Sequence, residues 1–152
     1  AKSETDFIVC FIYIIISMSL FTSTAALEKT KEEKVAKFVL ENIQKDYTTC
    51  YGFYRIASES FKKVNAEKSI IKGLDTSADI TLKFSHDLGE VLNYKSKIMA
   101  ENNKNEIKKL SIIAKKDFNV LAKKYGIMCK KLVENQKQRI EYWEKKGNKR
   151  IK

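Results

Sequence analysis

Three cysteines, one histidine, one carboxylate inside an aromatic run and two Ser-x-x-Lys spacings are the features of this 152-residue chain that could carry chemistry. Cys10 lies within the uncharged run from Phe7 to Phe21, which leaves Cys50 and Cys129 in the rest of the chain. An even pair in an oxidising compartment is the usual setting for a disulfide. Such a bridge closes a loop of about 80 residues, worth roughly 4 kcal/mol by chain entropy. Two unrelated buried thiols are the other reading, because free Cys packs well in cores. Ser60-Phe61-Lys62-Lys63 and Ser69-Ile70-Ile71-Lys72 have the spacing of an acyl-transfer nucleophile and its base. With 11 Ser and 27 Lys in the chain, chance alone supplies about two such spacings, and no SDN or KTG element accompanies them. His86, with Asp87 beside it and Glu90 one turn on, lacks the three or four converging ligands of a transition-metal site. An i,i+4 pair with Glu90 is the simpler expectation. Glu59 stands without a positioned partner, so it does not define acid-base catalysis. No Walker loop, dinucleotide fingerprint, HExxH or EF-hand pattern is present. The expectation is a protein that binds, with no catalytic, metal or cofactor residues.

Charge gives the stronger signal. The formal net charge is +11, and Arg occurs only at 55, 139 and 150, so nearly all basic residues are Lys. Residues 27–102 hold 13 basic and 12 acidic side chains, whereas residues 103–152 hold 16 and 5, so the excess belongs to the last third. There, Ile107, Ser111, Ala114, Phe118, Leu121, Tyr125, Met128 and Leu132 alternate at spacings of four and three, as in an a/d seam. Lys109, Lys116, Lys123, Lys130 and Lys137 fall seven apart at the f position, opposite that seam. This outward stripe is the candidate binding surface, directed at an acidic protein partner or an anionic membrane. A solvated face coloured by Lys-, Ile- and Asn-rich composition is the plainer alternative. Nucleic-acid recognition recruits Arg for bidentate and stacked contacts, and its scarcity here argues against that partner.

Long helices must position these residues. At 43% hydrophobic and 11% aromatic the chain can bury a core, while no Pro and only five Gly argue against sandwiches, barrels and Gly-rich nucleotide sites. Val35, Phe38, Val39, Ile43, Tyr47, Cys50, Tyr51, Tyr54, Ala57, Phe61 and Val64 form one helical stripe. The cluster Lys72-Gly73-Leu74-Asp75-Thr76-Ser77 predicts a break, with Thr76 or Ser77 capping the next helix. That helix shows Ile80, Phe84, Leu88, Val91, Leu92, Tyr94 and Ile98, and the polar run Glu101–Asn105 predicts its end. A helix from about 105 to 146 follows, with Tyr125-Gly126 as its weak point. The aromatic cluster Tyr47, Tyr51, Phe53, Tyr54 and Phe61 surrounds Cys50, and Tyr142 and Trp143 follow Cys129, a pattern that favours core packing over interface anchors. The expected fold is all-α: an antiparallel bundle of three to four long helices over 27–152, with Cys50–Cys129 joining the first helix to the last.

Residues 1–26 read as a separate segment. A short apolar run followed by Thr22-Ser23-Thr24-Ala25-Ala26 has the layout of a secretory signal, although Lys2 is offset by Glu4 and Asp6. Residues 7–26 are also long enough for a retained single-span anchor. The two expectations are an exported, periplasmic or secreted binding protein, or a membrane-anchored accessory subunit of a membrane complex.

Cys50-Tyr51-Gly52-Phe53-Tyr54, the Ala57-Ser58-Glu59 step, Tyr125-Gly126-Ile127-Met128-Cys129 and the tail bearing Arg139, Tyr142 and Trp143 together resemble a group of small exported helical proteins of proteobacteria and their phages. The resemblance spans most of residues 45–145. It implies export and paired cysteines, and it implies no activity.

Overall fold

In a computed structural model, residues 25–152 are described, with side chains from Thr30 onward. The signal or anchor segment therefore lies outside the described residues, apart from its last two positions. The regular elements among the described residues are all helices: α1 (Ala25–Lys63), α2 (Lys68–Val91), α3 (Ser96–Lys116), α4 (Phe118–Glu134) and α5 (Lys137–Arg150). Five helices thus replace the expected three to four.

The 39-residue α1 is the spine, about 58 Å long at 1.5 Å per residue. Contacts along it give the direction of every other helix. Gln44 and Thr48 meet Ser85 while Ser58 meets Asp75, so α2 runs antiparallel to α1. Thr49 meets Glu106 and Gly52 abuts Leu110, so α3 runs parallel to it. The fourth arm returns as two helices: Phe61–Phe118 and Cys50–Cys129 place α4, and Tyr47–Gln136, Asp46–Arg139 and Phe38–Trp143 continue the descent through α5. The result is an up-down-up-down bundle whose last arm is broken, and the disulfide joins the first helix to the fourth, not to the last.

The breaks follow local hydrogen-bond chemistry at residues other than those expected. Gly73 lies inside α2 and Gly126 inside α4, and Glu101–Asn105 lies inside α3. Instead, α1 and α2 end at Asn65 (φ 53°) and Asn93 (φ 58°), in the left-handed region that Asn tolerates. In each case the following amide reaches five residues back, Ala66 to the Phe61 carbonyl and Tyr94 to the Gly89 carbonyl, which closes a Schellman motif. Between α3 and α4, Asp117 turns extended, and its carboxylate accepts from the Asn119 amide at 2.8 Å. It thereby satisfies one of the first amides of α4, the work of an N-cap. Asn135 does the same for α5, accepting from the Lys137 amide at 3.1 Å.

The core lies on the predicted face of α1, with Val35, Val39, Ile43, Tyr47, Cys50, Tyr54 and Ala57 all buried. Val64, the last residue of the predicted stripe, falls beyond the end of α1 and is exposed. Every residue of the a/d seam between Ile107 and Leu132 is at least half-buried, even though Asp117 divides it between two helices. On α2 the deepest residues are small: Ala78, Thr81, Ser85 and Gly89 recur at helical spacing where α2 nears its neighbours. At Gly89 the approach is closest, since a β-carbon there would run into the thioether of Met99, itself 2% exposed. Gly89→Ala is expected to cost about 2 kcal/mol despite the better helix propensity of Ala, because overpacking outweighs that gain. Chemical denaturation compared with Gly73→Ala, where no atom lies within 4 Å of the added carbon, checks this.

Candidate functional site

Cys50 and Cys129 are both fully buried and bonded, with S–S 2.07 Å and Cα–Cα 5.3 Å. Helical phase explains the meeting: Cys50 stands one turn after Tyr47 on the core face of α1, and Cys129 follows Leu121 and precedes Leu132 on the core face of α4. A buried, bonded pair offers no accessible thiol, so its part is structural.

The other chemical motifs do not assemble. Ser60 Oγ donates to the Ile56 carbonyl and Ser69 Oγ to Glu67, rather than to Lys63 or Lys72. Glu59 is exposed and pairs with Lys62 at 3.1 Å. His86 Nδ1 lies 3.6 Å from Glu90 Oε1, the i,i+4 arrangement expected of it. Among the described residues, no three His, Cys, Asp or Glu side chains gather as metal ligands.

The five candidate lysines are all exposed, but they do not share one helix. Lys109 and Lys116 belong to α3, Lys123 and Lys130 to α4, and Lys137 opens α5. The single stripe is corrected to three separate segments because Asp117 and Asn135 interrupt the helix it requires. Carboxylates on the same helices temper three of them: Lys109 with Glu106 at 3.0 Å, Lys130 with Glu134 at 3.9 Å and Lys137 with Glu141 at 4.0 Å.

Sequence reasoning missed a tighter constellation where α5 crosses α1. Asp46 is 8% exposed and accepts from Arg139 Nε at 2.6 Å, Arg139 Nη2 at 3.1 Å and Trp143 Nε1 at 2.6 Å. The guanidinium stacks over Tyr142 at 4.4 Å and Trp143 at 4.9 Å, and Lys146 lies over the same rings at 4.6 and 5.3 Å. The hydrogen bond from Lys146, with the positive charges of Lys146 and Arg139, holds the Tyr142 phenol below its usual range. One sequence signal was available. Asp46 stands seven residues after Val39 and seven before Phe53, one turn from Ile43 and Cys50 of the apolar stripe, where a carboxylate requires a partner.

Next to this crossing, Lys34, Lys37, Phe38, Lys45 and Arg150 line an open groove of about 540 Å³. Glu41 is the one carboxylate in its wall, and it sits 4.0 Å from Lys37. Cations beside aromatic faces can hold anions, but no nucleophile and base are brought together there.

No family model matches the chain, and comparison with curated proteins and with solved structures found no match. The site is therefore read from its own chemistry. Above the Asp46 crossing, the Tyr47 hydroxyl donates to Gln136 Oε1 at 3.1 Å, fixing the start of α5 to α1. Burial, followed by the adjacent Asp46 charge, pushes the Tyr47 phenol well above its usual range. A raised folded value means that the native state keeps its proton while the unfolded chain releases it above about pH 10. Tyr47's stabilising contribution is thus complete below that pH and is lost as pH rises toward the folded value. At neutral pH, Tyr47→Phe should cost about 1 kcal/mol for the lost hydrogen bond. Above about pH 10 the wild-type advantage should shrink and then reverse, which urea titrations at pH 7 and in alkaline buffer will check.

Proposed function

We propose that this chain is a non-catalytic, exported binding protein that docks onto an acidic surface through its basic C-terminal third. One observation carries the reading: of the 16 basic side chains in residues 103–152, all but Arg139 are exposed. Arg139 turns inward onto Asp46. A surplus of cations displayed on a cross-linked scaffold presents positive potential to a partner at little ordering cost. The bonded cysteine pair supports export, because such pairs persist in oxidising compartments. The resemblance to small exported helical proteins runs in the same direction. Among the described residues, no helix is long and apolar enough to cross a membrane.

Charge reversal tests the reading. Lys116→Glu, Lys123→Glu and Lys137→Glu place one substitution on each of α3, α4 and α5, all at exposed positions. The combined variant should keep its helicity by circular dichroism. Its retention on an envelope fraction at low salt should fall at least tenfold, and wild-type retention should fall with ionic strength. Equal retention of the two proteins would return the lysines to solvation alone.

A further inference from the structure

The outward face of α4 sets two exposed aliphatics among its lysines, where the basic face of α3 shows one, Ile112 at 53%. Val120 is 51% and Ile127 70% exposed, although both belong to a helix that buries Leu121, Cys129 and Leu132 on its opposite side. At 100° per residue, Val120 and Ile127 fall within about 20° of one another. Lys123, Lys124, Lys130 and Lys131, all exposed, flank them on both sides. Glu134, 3.9 Å from Lys130, is the only acidic side chain within α4. The groove beside α5 and the one between α1 and α3 include no α4 residue in their walls.

We infer that the outward face of α4 docks on an anionic phospholipid surface, with Val120 and Ile127 entering the headgroup layer and the four lysines contacting lipid phosphates. This rests on the basic-docking reading above and names its partner. The composition selects the occupant. Protein interfaces are enriched in Arg and aromatic anchors and depleted in Lys, and this face has the reverse make-up. Lysine stems lie along an apolar boundary while their ammonium groups reach the phosphates, and aliphatic side chains between them are the pattern of an interfacial helix. A second copy of the chain would bring the same positive face against itself.

Vesicle flotation of the full chain tests this, with neutral phosphatidylcholine vesicles set against vesicles containing about one third phosphatidylglycerol. Residues 7–21 are apolar enough to partition into either lipid, so the readout is the ratio of anionic to neutral binding. Each lysine near such a surface strengthens binding roughly fivefold. Changing Lys123, Lys124, Lys130 and Lys131 to Gln should therefore lower the ratio at least a hundredfold. Val120→Ser with Ile127→Ser, at positions already exposed, should lower binding to the anionic vesicles about tenfold. A control changing Lys104, Lys108, Lys145 and Lys149 to Gln removes the same charge elsewhere and should lower the ratio less than tenfold. Equal losses from the two lysine sets would overturn the assignment to α4. A wild-type ratio near one would overturn the lipid proposal. If the charge-reversed protein still lost envelope retention in that case, the basic-docking reading would stand with a protein as its partner, and if it did not, both would fall.

Discussion

Reduction of the Cys50–Cys129 bond is expected to lower the unfolding free energy by about 4 kcal/mol and the thermal midpoint by roughly 10–20 °C. The two cysteines are 79 residues apart, so the bond removes a large set of open conformations from the unfolded chain. Reduction of the wild-type chain isolates that entropic contribution because it deletes no heavy atom. Cys50→Ala with Cys129→Ala should fall further by about 1 kcal/mol, since both sulfurs are fully buried and their loss leaves small voids. The expected order is oxidised wild type, reduced wild type, then the double variant. Urea titration followed by far-ultraviolet circular dichroism will give that order, and an unchanged midpoint after verified reduction would contradict it. The folded state should also loosen at a particular place, because the bond ties α4 to α1 about one and a half turns before α4 ends at Glu134. Amide exchange in α4 should accelerate on reduction more than exchange in α2, which packs along much of α1.

The disulfide was legible because it needed only a count of cysteines outside the apolar segment and a compartment. The buried faces were legible for a related reason. Periodicity reports which side of a helix is apolar whether or not the helix is continuous, so Leu121, Tyr125, Met128 and Leu132 were placed correctly on a helix whose start was missed. Helix ends depend instead on single residues with weak signals. Gly73 drew attention as a breaker, but a glycine costs an interior position only about 1 kcal/mol, which packing of α2 on α1 overcomes. Asn65 and Asn93 stop their helices because their backbones accept the left-handed conformation, and nothing in composition separates them from Asn102, Asn103 and Asn105 inside α3. Asp117 was the readable exception, an N-cap residue directly before the apolar Phe118. The regular heptad spacing across it concealed the break, and with it the division of the lysine stripe among three helices.

Long-range polar pairing was the least legible feature. Arg139 and Trp143 stood out in the sequence, but their partner lies 93 and 97 residues earlier on another helix. Spacing within one helix predicts neighbours at three and four residues, whereas pairing between helices depends on how far each arm travels before it turns. Ser58 and Asp75 show the same limit across a shorter span. Ser58 Oγ donates to Asp75 at 2.6 Å, which, ahead of the nearby Lys62 and Arg55 charges, holds that carboxyl below its usual range. In sequence Asp75 had read as part of a helix-ending cluster.

Asp46→Ala is expected to cost about 3 kcal/mol and to release α5 from α1. The magnitude comes from what is left behind. The Arg139 side chain is 25% exposed and would lose both partners of its guanidinium, and the Trp143 indole N–H would lose its acceptor as well. Stripping one partner from a largely buried, hydrogen-bonded ion pair costs about 3–5 kcal/mol, more than the intact pair contributes against an apolar replacement. Partial exposure of Arg139 places this site at the lower end. Asp46→Asn should fall between, because its carbonyl oxygen can keep the two bonds that Oδ2 accepts while its NH₂ confronts Arg139 Nη2 and the charge is lost. Trp143 is the only tryptophan, so its fluorescence reports the crossing directly. Asp46→Ala should shift its emission to the red below the unfolding transition, while the Cys50–Cys129 bond continues to hold α4. Combining Asp46→Ala with Arg139→Ala should cost less than the sum of the two single changes, since the second removes the charge that the first leaves unpaired. Strict additivity would mean that the two side chains act independently and that α5 is held by the Phe38, Gly147 and Trp143 contacts alone.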